Sequence, residues 1–392
     1  MKRIALVIFD YFEYGGVQKD LDALGKMLRE LALLRECKLQ LTMLCMHNRS
    51  GSVPSWCDEV RELLPPWYSV SNHRRAEWFD KQLARIRKTG EFELLIGFNR
   101  TGSLDFYFAG DDCLKEKYLK RSKLSSLLPR GKIFLELERK VFAVPESGRC
   151  GKVFTITEPQ QNSFLNHYPE CCAERLLLMP PNLGAEYFER GNMAELRRAA
   201  REEFAVLPDT KLVIQIAAAF RTKGVDRSLA ILGEAKRRGI LNDFKFIVVG
   251  GTSQKILDEM KKSASACNLS EDEVIFTGPR QDIRRLLCGA DIMLHPARAE
   301  ATGGVIIEAL GSGVPVVSSA ICGYNSYINE AEAGKIIPEP FELNNGVETL
   351  QSALADFPRL RSNALAYAEN KMTPANFQRA RTEAEIILNA LE

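Results

Sequence analysis

No run of 18 apolar residues occurs anywhere in the 392 residues, so no segment is built to cross a bilayer as a helix. Metal-ligand spacing is also missing. Ten cysteines are present, none forms a Cys-x-x-Cys pair, and Cys171 and Cys172 are adjacent. Cys37, Cys45, Cys267 and Cys288 lie in or beside apolar segments, where a thiol acts as a small hydrophobe. A reduced, cytoplasmic chain is therefore expected rather than a disulfide scaffold. Excess charge is absent too. With 53 Lys and Arg against 51 Asp and Glu, the net charge of +2 creates no overall field for nucleic acid, and any basic site must be local. There is no repeat of 20–50 residues and no low-complexity tract. The opening MKRIALVIFDYFEYGG has too short an apolar stretch for a signal peptide, and Asp10 and Glu13 follow it where a cleavage site would need small residues. It reads as a first β-strand.

What is present is a globular composition, 45% hydrophobic and 27% charged, at a length that suits two domains. Strand candidates recur: KRIALVIF, LQLTMLCM, FELLIGF, KVFTIT and RLLLMPP in the first half. KLVIQIAAA, FKFIVVGG, EVIFTG, DIMLHPA, VPVVSS and GKIIPE follow in the second. Amphipathic stretches such as QKDLDALGKMLRELALL and RSLAILGEAKRRGI lie between them. Strands alternating with helices imply an α/β protein with parallel sheets covered on both faces. The strands are too many for one open sheet of usual size. Pro180, Pro181 and Gly184 mark a break before a charged helix, NMAELRRAAREEF. Two doubly wound domains are expected, 1–182 and 183–370, with a final helix in 371–392 that could return to the N-terminal domain.

Ligands of such sheets sit beyond the carboxyl ends of the strands. That rule selects Tyr11–Gly16, Asn99–Asp105, Phe220–Gly224, Gly250–Gly251, Gly278–Arg280 and His295–Gly304. In HPARAEATGGVIIEALGSGVPVV, Glu300 and Glu308 stand eight positions apart, and no Lys or Arg lies between residues 299 and 330. A helix beginning near Gly303 or Gly304 would offer free N–H groups to a phosphate. Glu308, on its second turn, would then face inward, and a buried carboxylate needs donors such as vicinal ribose hydroxyls. Either carboxylate alone reads more readily as a solvated or loop charge. FRTKGVDRSL places Arg221 and Lys223 before a helix, where two cations could clamp a diphosphate or merely form a basic loop. YFEYGGVQKDL repeats strand, Gly15-Gly16 and helix. There, Asp20 could be no more than a favourable charge in a first helical turn.

Together these segments resemble the retaining glycosyltransferases of the GT-B type, family 4, whose hallmark Glu-x7-Glu appears here as Glu300 and Glu308. YGGVQKD, IGFNRTGSLDFYFAGDDC, KGVDRS, LLCGADIMLHPARAEATGG and AICGYNSYI carry the likeness, and point within that family to the lipopolysaccharide-core glucosyltransferases. The resemblance implies two Rossmann-like domains facing across a cleft. It implies transfer of glucose from UDP-glucose to an inner-core heptose with retention, with no metal and no other cofactor. The implied roles fall on named residues. Lys223 and Arg221 would neutralise the diphosphate with help from Thr302, Gly303, Gly304, Val305, Gly15 and Gly16. Thr222 separates the basic pair here, so Arg221 departs from the family pattern. Glu308 would hold the ribose, Glu300 the transferred sugar, and Arg280 would border the uracil. Asp105 would lie where the acceptor hydroxyl arrives, and Asp20 would orient acceptor or sugar.

A lipid-borne acceptor implies a membrane surface. Residues 114–132, LKEKYLKRSKLSSLLPRGK, hold seven Lys or Arg against one Glu, with leucines interleaved. That composition suits anionic lipid, or else a solvated basic helix. The resemblance favours the former, giving a cytoplasmic protein bound peripherally to the inner face of the cytoplasmic membrane. Competing readings are a family 4 enzyme with another nucleotide sugar or acceptor, a GT-B sugar-nucleotide epimerase, and a non-catalytic binding module.

Overall fold

The computed structural model describes residues 1–12, 16–67, 69, 71–121, 128–142 and 151–392. The chain divides into two compact units, Met1–Pro180 with Gln378–Glu392, and Pro181–Phe377.

The first unit is built on seven parallel strands: β1 (Lys2–Tyr11), β2 (Leu39–Asn48), β3 (Glu59–Glu62), β4 (Leu94–Gly97), β5 (Phe106–Phe108), β6 (Lys152–Thr155) and β7 (Leu176–Leu178). Their order, β3-β2-β1-β4-β5-β6-β7, reverses direction between β1 and β4. Helices cover the sheet: α1 (Gly16–Leu34), α2 (Asn72–Thr89), α3 (Leu114–Arg121), α4 (Pro129–Phe142) and α5 (Glu158–His167). β1 is buried on both faces through Ile4–Ile8, as expected of a central parallel strand. One core joins Ala5, Val7, Leu44, Phe79, Leu83 and Leu95, and another joins Tyr107, Phe142, Val153 and Phe164. Each Val, Leu or Phe side chain among them contributes about 1.5–3 kcal/mol on burial.

The second unit begins with α6 (Met193–Glu203) and alternates β8 (Lys211–Ile216), α7 (Val225–Arg237), β9 (Phe244–Val249), α8 (Gln254–Ala266), β10 (Val274–Gly278) and α9 (Ile283–Gly289). It continues with β11 (Ile292–His295), α10 (Gly304–Gly311), β12 (Val316–Ser319), α11 (Asn325–Glu330) and β13 (Gly334–Ile337). α12 (Leu343–Ala355), α13 (Phe357–Asn370) and α14 (Pro374–Phe377) complete it. The strand order β10-β9-β8-β11-β12-β13 is parallel throughout and reverses between β8 and β11. Its core runs from Phe220, Leu229 and Leu232 through Phe246 and Val248 to Leu294, Val317 and Leu350.

After Phe377 the chain re-enters the first unit as α15 (Arg379–Asn389), which lies along α1. Ala384, Ile387 and Leu388 of α15 are buried there, and Arg35 reaches the Asn389 amide at 2.7 Å.

Two strands escaped the pattern of apolar runs. β3 reads EVRE, a charged edge strand, and β5 is only three residues, FYF.

Candidate active site

The switch point between β8 and β11 gathers the chemistry of the second unit. Gln215 is fully buried in β8, and its amide donates to the Lys223 carbonyl at 2.7 Å while the Ser228 hydroxyl donates to its Oε1 at 2.8 Å. A polar side chain in mid-core thus fixes the loop after β8. That loop is a helical turn, with Lys223 N donating to Ala219 O at 2.9 Å. Gly224 closes it at φ +71°, where an added Cβ would stand 2.1 Å from the Pro296 carbonyl. Only glycine fits that approach. The loop after β11 is stitched to it: Arg298 N donates to Thr222 O at 2.8 Å, and the Arg298 guanidinium grips both Asp226 oxygens at 2.7 and 2.6 Å.

This stitching brings Lys223 Nζ to 2.5 Å from Glu300 Oε2. His295, wholly buried at the end of β11, reaches the same oxygen with Nε2 at 3.1 Å. Burial pushes the Glu300 carboxyl upward, yet the hydrogen bonds from His295 and Lys223 and the Lys223 charge hold it below the usual carboxylate range. Lys223, expected to neutralise a diphosphate, is paired here with Glu300, and His295, inside the stretch selected after β11 but given no role by the sequence reading, joins it on the same oxygen. Nearby, burial drives the Cys322 thiol up to about 12, leaving it neutral.

Glu300 also lies against a helix start. Gly303, at φ +94°, caps α10, and an added Cβ would meet Glu300 Cγ at 3.5 Å and Ile306 Cδ1 at 2.9 Å. The Thr302 carbonyl accepts from Tyr324 N at 2.8 Å, which fixes the entry. The N–H groups of the first turn, Gly304 and Val305, have no carbonyl four residues back to bond. On the second turn, the Glu308 carboxyl has no hydrogen-bond or ion-pair partner among the described residues. Burial, reinforced by the charge of Glu186, raises its carboxyl to about 7.

Four other expected residues have protein partners of their own. Arg221 turns to Glu259 on α8 and is largely exposed. Two residues apart in a helical turn, Arg221 and Lys223 point to opposite sides. Arg280 follows β10, but Glu203 (2.8 Å) and Asp282 (2.8 Å) already engage its charge. Asp105 is a correction: it sits on the amino edge of the first unit's sheet, the wrong edge for an acceptor. Its Oδ2 accepts from Leu95 N at 2.8 Å, its other oxygen pairs with Arg87, and its carbonyl accepts from Lys152 N at 2.8 Å. The segment after β4 has crossed back by residue 105, because the parallel strand β5 must start beside the start of β4. Asp20, on α1, is ion-paired to Arg379 of α15, and burial raises its pKa despite that partner. Gly16 opens α1, and Gly15 lies outside the described residues.

Asp20-Leu21-Asp22 is the sequence's one Asp-x-Asp. Asp22 accepts from Tyr11 Oη at 2.9 Å and Trp56 Nε1 at 2.8 Å, so both carboxylates are engaged by protein groups. Among the described residues no cluster of three or more His, Cys, Asp or Glu has the geometry to hold a metal.

Residues 197–371 match the family of glycosyl transferases group 1. Across 96% of this chain and 94% of the relative, the sequence is 30% identical to the lipopolysaccharide glucosyltransferase WaaG of Escherichia coli K12. The chain belongs to the group 1 glycosyl transferases. It is thus a hexosyltransferase, and the binding-module reading falls away. The glycosyltransferase also superposes on the crystal structure of WaaG with a TM-score of 0.76, at 27% identity over 98% of this chain and 99% of the other. Its two-sheet architecture is the GT-B fold. Alpha-D-kanosaminyltransferase of Streptomyces kanamyceticus is 28% identical over 43% of this chain and 42% of its own. Anabaena Alr3699/HepE, solved with UDP and glucose, shares the fold at a TM-score of 0.67 and 17% identity, covering 100% of this chain and 99% of that one.

Proposed function

We propose that this glycosyltransferase moves glucose from UDP-glucose to a heptose of the lipopolysaccharide inner core, with retention and without a metal. The observation that carries the reading is the Lys223–Glu300 pair at 2.5 Å beside the start of α10, with the unpartnered Glu308 one turn on. The whole-length similarity to a lipopolysaccharide glucosyltransferase supports the acceptor class.

In this reading the diphosphate lies at the start of α10, where the N–H groups of Gly304 and Val305 and the Lys223 ammonium stabilise the charge that grows on the leaving group. Glu308 accepts hydrogen bonds from the ribose hydroxyls. Glu300 accepts one from the glucose. The bond from the anomeric carbon to the β-phosphate oxygen breaks as the heptose oxygen attacks on the same face, and the heptose proton passes to that phosphate oxygen. A carboxylate held below its usual range is a weak nucleophile, which favours this route over a covalent intermediate on Glu300.

The acceptor would be met at a membrane. No helix among the described residues is long and apolar enough to cross one. On α3, Leu119 is exposed beside Lys117 and Lys120, and Leu128 is exposed just before α4. Ser122–Leu127, with Leu124 and Leu127, lie outside the described residues. The exposed apolar and basic pair of helices supports peripheral binding to the anionic inner face of the cytoplasmic membrane.

A transfer assay tests the proposal: heptose-terminated core lipid with UDP-glucose, UDP-galactose or UDP-N-acetylglucosamine, with and without EDTA. Preference for UDP-glucose, undiminished by EDTA, is expected. Equal use of another donor, or an absolute divalent requirement, overturns the donor or the metal-free mechanism respectively. UDP-glucose consumed without any acceptor to yield an epimerised nucleotide sugar would favour the epimerase.

A further inference from the structure

His295 lies at the carboxyl end of β11 with no exposed surface. Its Nε2 stands 3.1 Å from Glu300 Oε2, and its Nδ1 is buried with no hydrogen-bond partner. An ionised carboxylate only accepts, so Nε2 must carry the hydrogen. The ring therefore serves as a donor aimed at one carboxylate.

Lys223 and His295 both bond the same oxygen. Lys223 Nζ is 2.5 Å from Oε2, and Oε1 receives no hydrogen bond among the described residues. The two oxygens of Glu300 are therefore inequivalent, one clamped and one presented. The two clamping groups also differ in stiffness. Lys223 is a flexible ammonium with several donors, free to turn some of them to a phosphate. His295 is fixed by its strand and by full burial.

We infer that His295 is a positioning residue of the transfer reaction: it holds Glu300 Oε2 while Lys223 serves the diphosphate, so that Oε1 stays aimed at a hydroxyl of the sugar being transferred. This rests on the donor-site reading given under Proposed function. It does not make His295 a catalytic residue, since no atom of the ring touches the reacting groups.

Two amide substitutions separate the ring nitrogens. His295→Gln places an amide N–H near the position of Nε2. His295→Asn places one near Nδ1 instead. We expect His295→Asn to lower kcat with UDP-glucose by about 10- to 100-fold, the range for losing a hydrogen bond to a charged group. Inhibition by UDP, which carries no glucose, should change by less than about threefold, and His295→Gln should recover kcat to within about threefold of the parent. If His295→Asn melts early, His295→Phe, which keeps a ring and lacks both nitrogens, carries the same expectation. Equal kcat in the Gln and Asn variants, or a kcat loss matched by an equal loss of UDP affinity, overturns the inference. Glu300→Ala, run beside them, separates the two levels. If it turns over like the parent, the donor-site reading itself fails. If it is inactive while Gln and Asn behave alike, only the role of His295 fails.

Discussion

Replacing Glu308 by Gln removes a carboxyl that burial and the charge of Glu186 have raised from 4.5 to about 7. At about 1.4 kcal/mol per pH unit, that displacement corresponds to roughly 3 kcal/mol against the ionised form, an upper limit because the side chain is only part-buried. The sign follows from the raised folded value. Stability from the neutral carboxyl is fully present below about pH 4.5, declines as pH rises toward 7, and is lost above it. Unliganded Glu308→Gln should therefore melt higher than the parent at pH 8, and the two should converge near pH 4.5. A bound ribose reverses the preference, because its hydroxyls donate to the ionised form. Near pH 7 about half of the unliganded molecules hold the proton, so binding UDP-glucose should release about half a proton. UDP-glucose suits the test because its diphosphate diester does not itself titrate near neutrality. Calorimetry at pH 7 in two buffers of different ionisation enthalpy measures the release. Heats that do not depend on the buffer, or an equal release from Glu308→Gln, would refute the reasoning.

Three further outcomes are expected. Gly224→Ala should lower the urea midpoint by the equivalent of about 1–3 kcal/mol, since φ +71° and the Pro296 carbonyl both oppose a Cβ. Asp105→Asn should destabilise by about 1–3 kcal/mol through its Arg87 and Leu95 contacts, while kcat changes by less than about twofold; a large kcat loss at unchanged stability would return Asp105 to the acceptor site. Sedimentation with anionic vesicles should fall as salt rises, and Lys117→Glu with Lys120→Glu should weaken it by about 1 kcal/mol per charge removed. No preference for anionic over neutral vesicles would remove the membrane assignment.

The architecture was legible because parallel strands buried on both faces announce themselves as unbroken apolar runs, as in IALVI of β1 and LVI of β8. β5 was not, since three residues give no period to detect, and that omission misplaced Asp105. The chain was followed past β4 as though still at the carboxyl edge, when it had already crossed the sheet. Gly224, Gly303 and the α10 start were readable from local chemistry. The orientation of Arg221 was not, because it depends on a helical turn whose closing bond, Lys223 N to Ala219 O, appears only in three dimensions. The role of His295 was hidden for a related reason. It ends a strand as an apolar residue would, and only the fold of the next five residues brings Glu300 back onto its Nε2.

The central claim is that a nucleotide sugar docks on the second unit at Lys223, Glu300 and α10. A crystal structure with UDP-glucose bound tests it directly. The account predicts ribose hydroxyls within hydrogen-bonding distance of Glu308, phosphate oxygens at the N–H groups of Gly304 and Val305, and glucose against Glu300 Oε1. A nucleotide found elsewhere, with the Glu308 carboxyl still without a ligand contact, would contradict it.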